Sequence, residues 1–293
     1  MVQILLAVIV TAMAAYGTFV GMDILRNRNA MGLEKGSYLF YAASSAIIMF
    51  CGTFGLSDTA LSVFAYRKSK YVEDKLIMGT IIAGAILPVG TMAIAFLSSF
   101  QVDPVTLIVC IAAQSVGAVI GVRILLGLDE HHIRQAMGAA LIGAALLIVF
   151  KLFYLGDSTG DTTELRSYKL FAAACSFFVF GAMNLIGLGS TVPNMAILML
   201  LGMDVKSVFP IVMSANIISI IFAGFNIVQH KAYCRKAALG SVLGVLGVLL
   251  AVHFVKSVDV AFLQLVMVAL LVYCAFSMLH EEYRSKRMAL KLK

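Results

Sequence analysis

Charged residues are scarce in this sequence of 293 residues. Lys, Arg, Asp and Glu together make up 13% of the chain, 61% of the residues are hydrophobic, and the mean hydropathy is +0.99. A soluble domain usually carries about a quarter charged residues, so this composition excludes a water-soluble surface. No polar segment exceeds a short loop, which excludes a second, soluble domain. The sequence therefore predicts a single membrane domain over residues 1–293.

Several functional signatures are also absent. The chain contains no Cys-x-x-Cys pair, no His-Glu-x-x-His helix and no Gly-x-Ser-x-Gly elbow, so it predicts no enzyme, no metal site and no cofactor. The net charge of +7 lies mainly in loops and in a basic C-terminal tail, so membrane lipid is an expected partner and nucleic acid is not. The scattered cysteines are interpreted as small buried hydrophobes: Cys51, Cys110, Cys175, Cys234 and Cys274.

Apolar runs that could cross a hydrocarbon core of roughly 30 Å, which takes about 20 helical residues, recur along the whole chain. The first run follows no Lys or Arg, so we interpret it as a retained helix and not as a signal peptide. Two regions, 37–66 and 168–203, are too long for a simple span and are interrupted in the middle. Charge boundaries predict seven ordinary transmembrane helices near residues 3–22, 76–99, 105–127, 136–155, 207–228, 237–255 and 259–279.

The two interruptions, at 51–59 and 187–194, are rich in Gly, Ser, Thr, Asp and Asn. Gly and Pro weaken helices, and the polar residues favour N-caps, so each interruption is predicted to be a turn that begins a new half-helix. The first matches the second at an offset of 132 residues, which also relates two pairs of the predicted spans. The sequence thus predicts repeat one over about 1–134, repeat two over about 135–257, an extra helix at 258–280 and a basic cytoplasmic tail at 281–293.

Positive charge indicates the orientation, because Lys and Arg concentrate in cytoplasmic loops. The 22 Lys and Arg divide 14 to 8 if both interrupted segments cross the membrane, and 17 to 5 if both are re-entrant hairpins. The stronger asymmetry favours hairpins, although a broken helix can also span. Three crossings per repeat would invert the second copy. The predicted fold is an all-α polytopic membrane protein of about seven transmembrane helices plus two re-entrant or broken hairpins, with the N-terminus outside and the C-terminus cytoplasmic.

Each predicted half-helix begins with free N–H groups and the positive end of its dipole, which favour an anion. Two such ends could hold a small oxyanion near the midplane without a buried Lys or Arg. The alternative is that these residues only cap helices and allow tight packing. The predicted substrate-binding residues lie at both interruptions and on the helices that follow them: Gly55, Ser57, Asp58, Thr59, Thr80, Gly187, Gly189, Ser190, Thr191, Pro193, Asn194, Ser214 and Asn216.

Four polar residues leave an alternative open. Asp58 would repel an anion if ionised, so it is interpreted either as an N-cap that faces water or as a protonatable coupling group. Asn184, Gln114 and Ser115 interrupt apolar runs, and the commoner explanation of such residues is a hydrogen bond to a neighbouring helix. The small-residue pair Gly117 and Gly121 predicts close helix packing.

The second interruption resembles the TauE/SafE family of sulfite exporters. The resemblance is carried by Gly187-Leu188-Gly189, by Pro193, and by the segment 200–210 that leads to Ser214. It implies export of small sulfur oxyanions or organosulfonates across a bacterial inner membrane, driven by an ion or proton gradient. It matches Gly187, Gly189, Pro193 and Ser214 to family positions. The first interruption departs from the family pattern, because it has no glycine run and no following proline and contains Asp58.

Three hypotheses follow from the sequence. The leading one is a secondary transporter, an exporter of sulfite or another small sulfur anion that works by alternating access, with a homodimer left open. The second is a transporter of a cation or neutral solute that uses turn carbonyls and Asp58. The third is a non-transporting membrane subunit or sensor whose hairpins pack against a partner.

Overall fold

The computed structural model describes residues 2–54, 58–121, 162–185 and 190–257, with positions 269 and 272. Over these residues the chain is helical, apart from one isolated bridge between Thr162 and Met203. The helices are α1 (Val2–Arg26), α2 (Arg28–Leu33), α3 (Tyr38–Thr53), α4 (Asp58–Ser69), α5 (Asp74–Leu97), α6 (Pro104–Val116), α7 (Ser167–Leu185), α8 (Thr191–Leu200), α9 (Val205–Gln229), α10 (Arg235–Gly240) and α11 (Gly244–Ser257).

Four helical stretches are long and apolar enough to cross a membrane, namely Gln3–Arg26, Lys75–Leu97, Val205–Gln229 and Arg235–Val255. They confirm four of the predicted spans as helices, and large apolar side chains such as Phe171 and Leu250 are exposed where lipid would cover them. The predicted span at 105–127 is described only in part, as α6 and the π-helical turn Gly117–Gly121. The predicted spans at 136–155 and 259–279 lie outside the described residues, apart from positions 269 and 272.

Helices α3 and α4 form an antiparallel hairpin. The rings of Tyr41, near the start of α3, and Tyr66, near the end of α4, have centroids 6.0 Å apart. At the other end of the pair, a Cβ placed on Gly52 would lie 3.1 Å from the Cβ of Asp58. The chain therefore returns to the end at which it entered, and the start of α4 forms the tip of this first hairpin.

Helices α7 and α8 form a second antiparallel hairpin. Just before α7, the hydroxyl of Thr162 donates to the carbonyl oxygen of Gly202 at 2.8 Å, and the Thr162 carbonyl accepts from the N–H of Asp204 at 3.1 Å. Both partners lie just after the end of α8. The base of this hairpin is thereby closed, and the start of α8 forms its tip.

The long helices α5 and α9 run antiparallel through the centre of the molecule. The rings of Phe96 and Phe209 stack at 5.0 Å, and Gly79, near the start of α5, faces Ile227 and Ala232 at the end of α9 and beyond it. The base of the first hairpin is joined to the start of α5 by a short link. The base of the second lies at the other end of α5, where the Ser207 hydroxyl donates to the Gln101 carbonyl at 3.1 Å. The two hairpins therefore enter from opposite ends of a helix that is about 36 Å long.

The order of elements recurs along the chain. Helices α3, α4, α5 and α6 begin at residues 38, 58, 74 and 104, and α7, α8, α9 and α10 begin at 167, 191, 205 and 235, which is 129 to 133 residues later in each case. The two sets also pack against each other, because α6 contacts α7, and α11, which follows α10, contacts α3. Gly117 allows the first of these contacts, since a Cβ there would overlap the backbone of Phe178. The predicted close packing at Gly117 is confirmed.

A buried charged cluster fixes the end of the molecule where the first hairpin is based. The Glu34 carboxylate accepts from the backbone N–H groups of Arg235 and Lys236 at 3.0 and 2.7 Å, so it caps α10 from another part of the chain. The Arg235 side chain is buried and donates to Asp23 of α1 at 2.8 Å. The cluster therefore ties α1 and the α2–α3 connection to the start of α10.

The opposite end is held by Asp103, the N-cap of α6. Its carboxylate accepts from the backbone N–H and the hydroxyl of Thr106, both at 2.8 Å, and lies 3.4 Å from the guanidinium of Arg166. Burial acts to raise the pKa of the Asp103 carboxyl, but the Thr106 hydrogen bonds and the Arg166 charge outweigh it and lower the pKa below its usual range. The Thr106 hydroxyl also accepts from the N–H of Leu165 at 3.0 Å, which anchors the start of the second hairpin.

The close approach of α5 to the chain after α9 predicts a stability difference between two glycine substitutions. Gly79→Ala places a Cβ against the carbonyl of Ala232 and should destabilise the protein by about 1–3 kcal/mol through overpacking. Gly17→Ala, on α1, meets no described atom within 4 Å and should leave stability unchanged or raise it by up to about 1 kcal/mol, because Ala loses less entropy in a helix. Thermal unfolding in detergent compares the two variants. Equal melting temperatures would contradict this packing of α5.

Candidate functional site

A cavity lies where the tips of the two hairpins meet between α5 and α9. Its volume is ≈ 40 Å³, room for a few water molecules or a small ion. The walls are mostly apolar and come from α5 and α9, whereas the polar groups come mainly from the hairpins. The lining residues are Gly52, Asp58, Thr59, Met78, Ile81, Ile82, Ala85, Val89, Met92, Asn184, Thr191, Met213, Asn216 and Ile220.

The first hairpin contributes the charged side of the cavity. Asp58 is the first residue of α4, and its carboxyl group lines the cavity. A short polar residue at this position is typical of a helix start, because it satisfies N–H groups that have no partner within the helix. Asp58 and Thr59 are both partly exposed to the cavity.

The second hairpin contributes the neutral polar side. Thr191 is the first residue of α8, and Asn184 lies near the end of α7. Asn216, from the middle of α9, reaches the same side of the cavity, where its amide nitrogen donates to the Thr191 hydroxyl at 2.9 Å. Pro193 lies in the first turn of α8, where its missing N–H costs nothing.

A buried chain of hydrogen bonds runs from α8 through α6 and α9 to the cavity. The Asn194 amide donates to the Gln114 side-chain oxygen at 3.1 Å, and the Gln114 amide donates to the Asn216 side-chain oxygen at 2.7 Å. Asn216 then donates to Thr191. Every donor in the chain points towards the cavity, and successive hydrogen bonds of one direction polarise each other. The Thr191 hydroxyl is therefore a strengthened donor at the cavity wall.

Ser190 joins this chain from the side. It stands at the N-cap position of α8, but its side chain makes no capping hydrogen bond and donates instead to the Asn216 oxygen at 2.8 Å. The side chain of Ser190 therefore does not cap α8. The hydroxyl fixes the orientation of the amide of Asn216, which lines the cavity.

Three buried polar atoms of the described residues have no hydrogen-bond partner: the side-chain oxygens of Ser115, Asn194 and Ser214. The Asn194 oxygen is the open end of the chain of donors. A buried acceptor without a hydrogen bond costs about 1–3 kcal/mol of stability. Stability alone therefore does not explain why these hydrogen bonds leave the Asn194 oxygen unpaired.

The structure brings four of the predicted site residues to the cavity: Asp58, Thr59, Thr191 and Asn216. Ser190 and Asn194 are joined to them by the hydrogen-bond chain, Pro193 is buried in the first turn of α8, and Ser214 is buried on α9 without lining the cavity. The predicted residues Gly55, Ser57, Gly187 and Gly189 lie outside the described residues.

Thr80 is not brought to the cavity. Its hydroxyl donates to the Leu76 carbonyl at 2.7 Å and accepts from the N–H of Cys234 at 2.9 Å, so it supports the start of α10. The cysteine interpretation also needs a correction. Cys110 and Cys234 are buried as expected, but Cys51 is only half-buried and Cys175 is exposed on α7. Cys274 lies outside the described residues.

Gln114 and Asn184 also belong to the site, although the sequence pattern does not assign them to it. The sequence favours a hydrogen bond from Gln114 to a neighbouring helix, and Gln114 does bond Asn216 and Asn194, but Asn216 lines the cavity. Asn184 lines the cavity itself. In both cases the sequence shows an amide within an apolar run. It does not show the partners, which for Gln114 lie up to 102 residues away.

The electrostatics of the site are simple among the described residues. Of the residues that the structure describes, Asp58 carries the one carboxyl group that lines the cavity, no Lys, Arg or His lines it, and no cluster of His, Cys, Asp and Glu could hold a metal ion. The free N–H groups at the starts of α4 and α8 supply partial positive charge. Such a site can hold a small polar group, with neutral donors on one side and a carboxyl group on the other.

Comparisons with models of known protein families, with curated proteins and with solved structures found no match to this chain. The resemblance to the TauE/SafE family therefore stays a proposal that rests on the residues quoted for it.

The hydrogen-bond chain predicts a coupled effect of two substitutions. Gln114→Leu leaves the Asn194 amide and one lone pair of Asn216 unsatisfied and should destabilise the protein by about 1–3 kcal/mol. Adding Asn194→Leu removes one of those orphans, so the double variant should lose less stability than the sum of the single losses. Gln3→Leu, at an exposed position of α1, is the matched control. Additive losses in detergent unfolding would show that the two amides are not coupled.

Proposed function

We propose that this protein is a secondary transporter of a small anion, bound between the starts of α4 and α8 and moved by alternating access. The substrate class is sulfite or another sulfur oxyanion or organosulfonate. The observation that carries the proposal is a cavity whose polar lining comes from the tips of both hairpins, with Asp58 and Thr59 on one side and Thr191 on the other.

The architecture supports a transporter because the two hairpins enter from opposite ends and meet halfway. In a membrane, backbone that leaves a helix at this depth is tolerated where protein buries it or where it lines a watery cavity. We propose that α3–α6 and α7–α11 belong to two inverted repeats, since their elements recur at a near-constant offset and α5 and α9 run antiparallel. Inverted repeats with broken helices at the midplane are a common transporter design.

The membrane topology follows from the same scheme. Seven spans and two re-entrant hairpins place the N-terminus outside and the C-terminal tail in the cytoplasm, as the 17 to 5 division of Lys and Arg indicates. The resemblance to the TauE/SafE family adds a bacterial inner membrane and the direction of export. Two of the residues that carry the resemblance, Pro193 and Ser214, lie on α8 and α9.

A second function has one specific observation in its favour. Asp58 brings a carboxyl group to a cavity without a described basic residue, and an ionised carboxylate favours a cation over an anion. A cation or neutral solute would bind there through Asp58 and through backbone carbonyls at the hairpin tips.

Uptake into proteoliposomes tests the two proposals. The reconstituted chain should show saturable counterflow of radiolabelled sulfite, competed by thiosulfate and small sulfonates. Thr191→Val removes a hydroxyl donor at the cavity, and a hydrogen bond to a charged group contributes about 1.5–3 kcal/mol, so the apparent affinity should fall roughly tenfold to a hundredfold. Thr11→Val, at an exposed position of α1, is the matched control and should transport like the wild type.

The competing results are equally specific. Saturable uptake of a monovalent cation that Asp58→Asn abolishes, with no sulfite counterflow, would replace the anion by the second function. An equal sulfite affinity in the wild type and in Thr191→Val would move the binding site away from the second hairpin.

A further inference from the structure

The two sides of the cavity carry different kinds of polar group. The second hairpin and α9 present the neutral hydroxyl and amide groups of Thr191, Asn216 and Asn184, whereas the first hairpin presents the carboxyl group of Asp58. With a volume of ≈ 40 Å³, the cavity holds any bound ion against both sides at once. The groups left unused on each side therefore decide which ligand fits.

On the second side Asn216 and Thr191 offer unused donors. Both lone pairs of the Asn216 oxygen are taken, by Gln114 at 2.7 Å and by Ser190 at 2.8 Å. One N–H of Asn216 goes to Thr191 at 2.9 Å. The second N–H of Asn216 and the hydrogen of the Thr191 hydroxyl have no acceptor among the described residues. A ligand that pairs with Asn216 and Thr191 must therefore bring acceptor oxygens to them.

On the first side the unused group is a carboxyl oxygen. An ionised carboxylate only accepts hydrogen bonds, so an ionised Asp58 presents only lone pairs to the cavity. An oxyanion held by Asn216 and Thr191 would face that carboxylate across a narrow space, with both groups offering lone pairs and negative charge. One proton between them removes both conflicts, because it neutralises a charge and makes a hydrogen bond.

We propose that the oxyanion binds together with one proton, which it shares with the carboxyl group of Asp58. The inference rests on the proposed function. A permanently ionised sulfonate takes this proton up through Asp58, whereas hydrogen sulfite can bring its own. Asp58 then couples transport to a proton, and the substrates are oxyanions that tolerate a hydrogen bond from an acid at one oxygen.

No other described group competes for this role. The elements packed against α4 turn apolar or neutral side chains to the cavity: Gly52 from α3, Met78, Ile81 and Ile82 from α5. Besides Asp58, the titratable or charged residues of these elements are Tyr38, Tyr41 and Cys51 on α3, Tyr66, Arg67 and Lys68 on α4, and Asp74 and Lys75 on α5. None of those whose side chains the structure describes lines the cavity.

Proton counting by calorimetry tests the inference on the full chain in detergent, with methanesulfonate as the probe because it does not titrate. The heat of binding is measured in buffers of different ionisation enthalpy between about pH 6 and pH 9. At the alkaline end the wild type should take up about one proton per ligand, and its affinity should fall about tenfold per pH unit. Asp58→Asn should bind without proton uptake, because its amide donates permanently, and Asn is also a good residue at a helix start.

Asp204→Asn is the matched control, because Asp204 accepts from the N–H of Ser207 at the start of α9 and lies outside the cavity. It should take up a proton as the wild type does. Binding to the wild type without proton uptake across the whole pH range would overturn the inference and leave the proposed function standing. So would equal proton uptake by Asp58→Asn. If methanesulfonate, sulfite and thiosulfate all fail to bind, both the inference and the proposed function fall.

Discussion

The need to satisfy polar backbone inside a membrane governs this structure. A helix that breaks halfway exposes N–H and C=O groups at a depth where lipid offers no partner, so the break must be covered by protein or face a watery space. Here two breaks solve the problem together, because the hairpin α3–α4 and the hairpin α7–α8 bring their tips to one cavity between α5 and α9. The antiparallel course of α5 and α9 follows from this arrangement, since each long helix starts beside the base of one hairpin and ends beside the base of the other.

The buried side chains at the tips show the same constraint on a smaller scale. An amide in an apolar interior is costly unless it is paired, and Asn194, Gln114 and Asn216 pair with each other in one direction only. That direction leaves an acceptor open at one end and donors at the cavity. Two negative charges about 4 Å apart repel by about 4 kcal/mol at an effective dielectric constant of 20. We therefore expect an anion bound by these donors to require a proton on itself or on the carboxyl group of Asp58.

Local features of the fold were predictable from sequence, whereas contacts between distant residues were not. Gly, Ser, Thr and Asp at the interruptions predict the starts of α4 and α8 because these residues begin helices whatever surrounds them. The four described spans follow from hydropathy over about 20 residues. The repeat predicts Thr80 as a site residue, but the rotation of α5 turns its hydroxyl to the start of α10, where it accepts from the N–H of Cys234. The partners of Gln114 depend on how α6, α8 and α9 pack, which no local pattern records.

The entry of the two hairpins from opposite membrane surfaces is the central claim, and side-specific cysteine labelling tests it most directly. In a cysteine-free background, Lys68→Cys lies at the base of the first hairpin and Thr163→Cys at the base of the second, and both positions are exposed. A membrane-impermeant maleimide applied to intact cells should label Thr163→Cys at once and Lys68→Cys only after permeabilisation. Labelling of both positions from the same side would contradict the opposed hairpins, and with them the shared cavity as a site of alternating access.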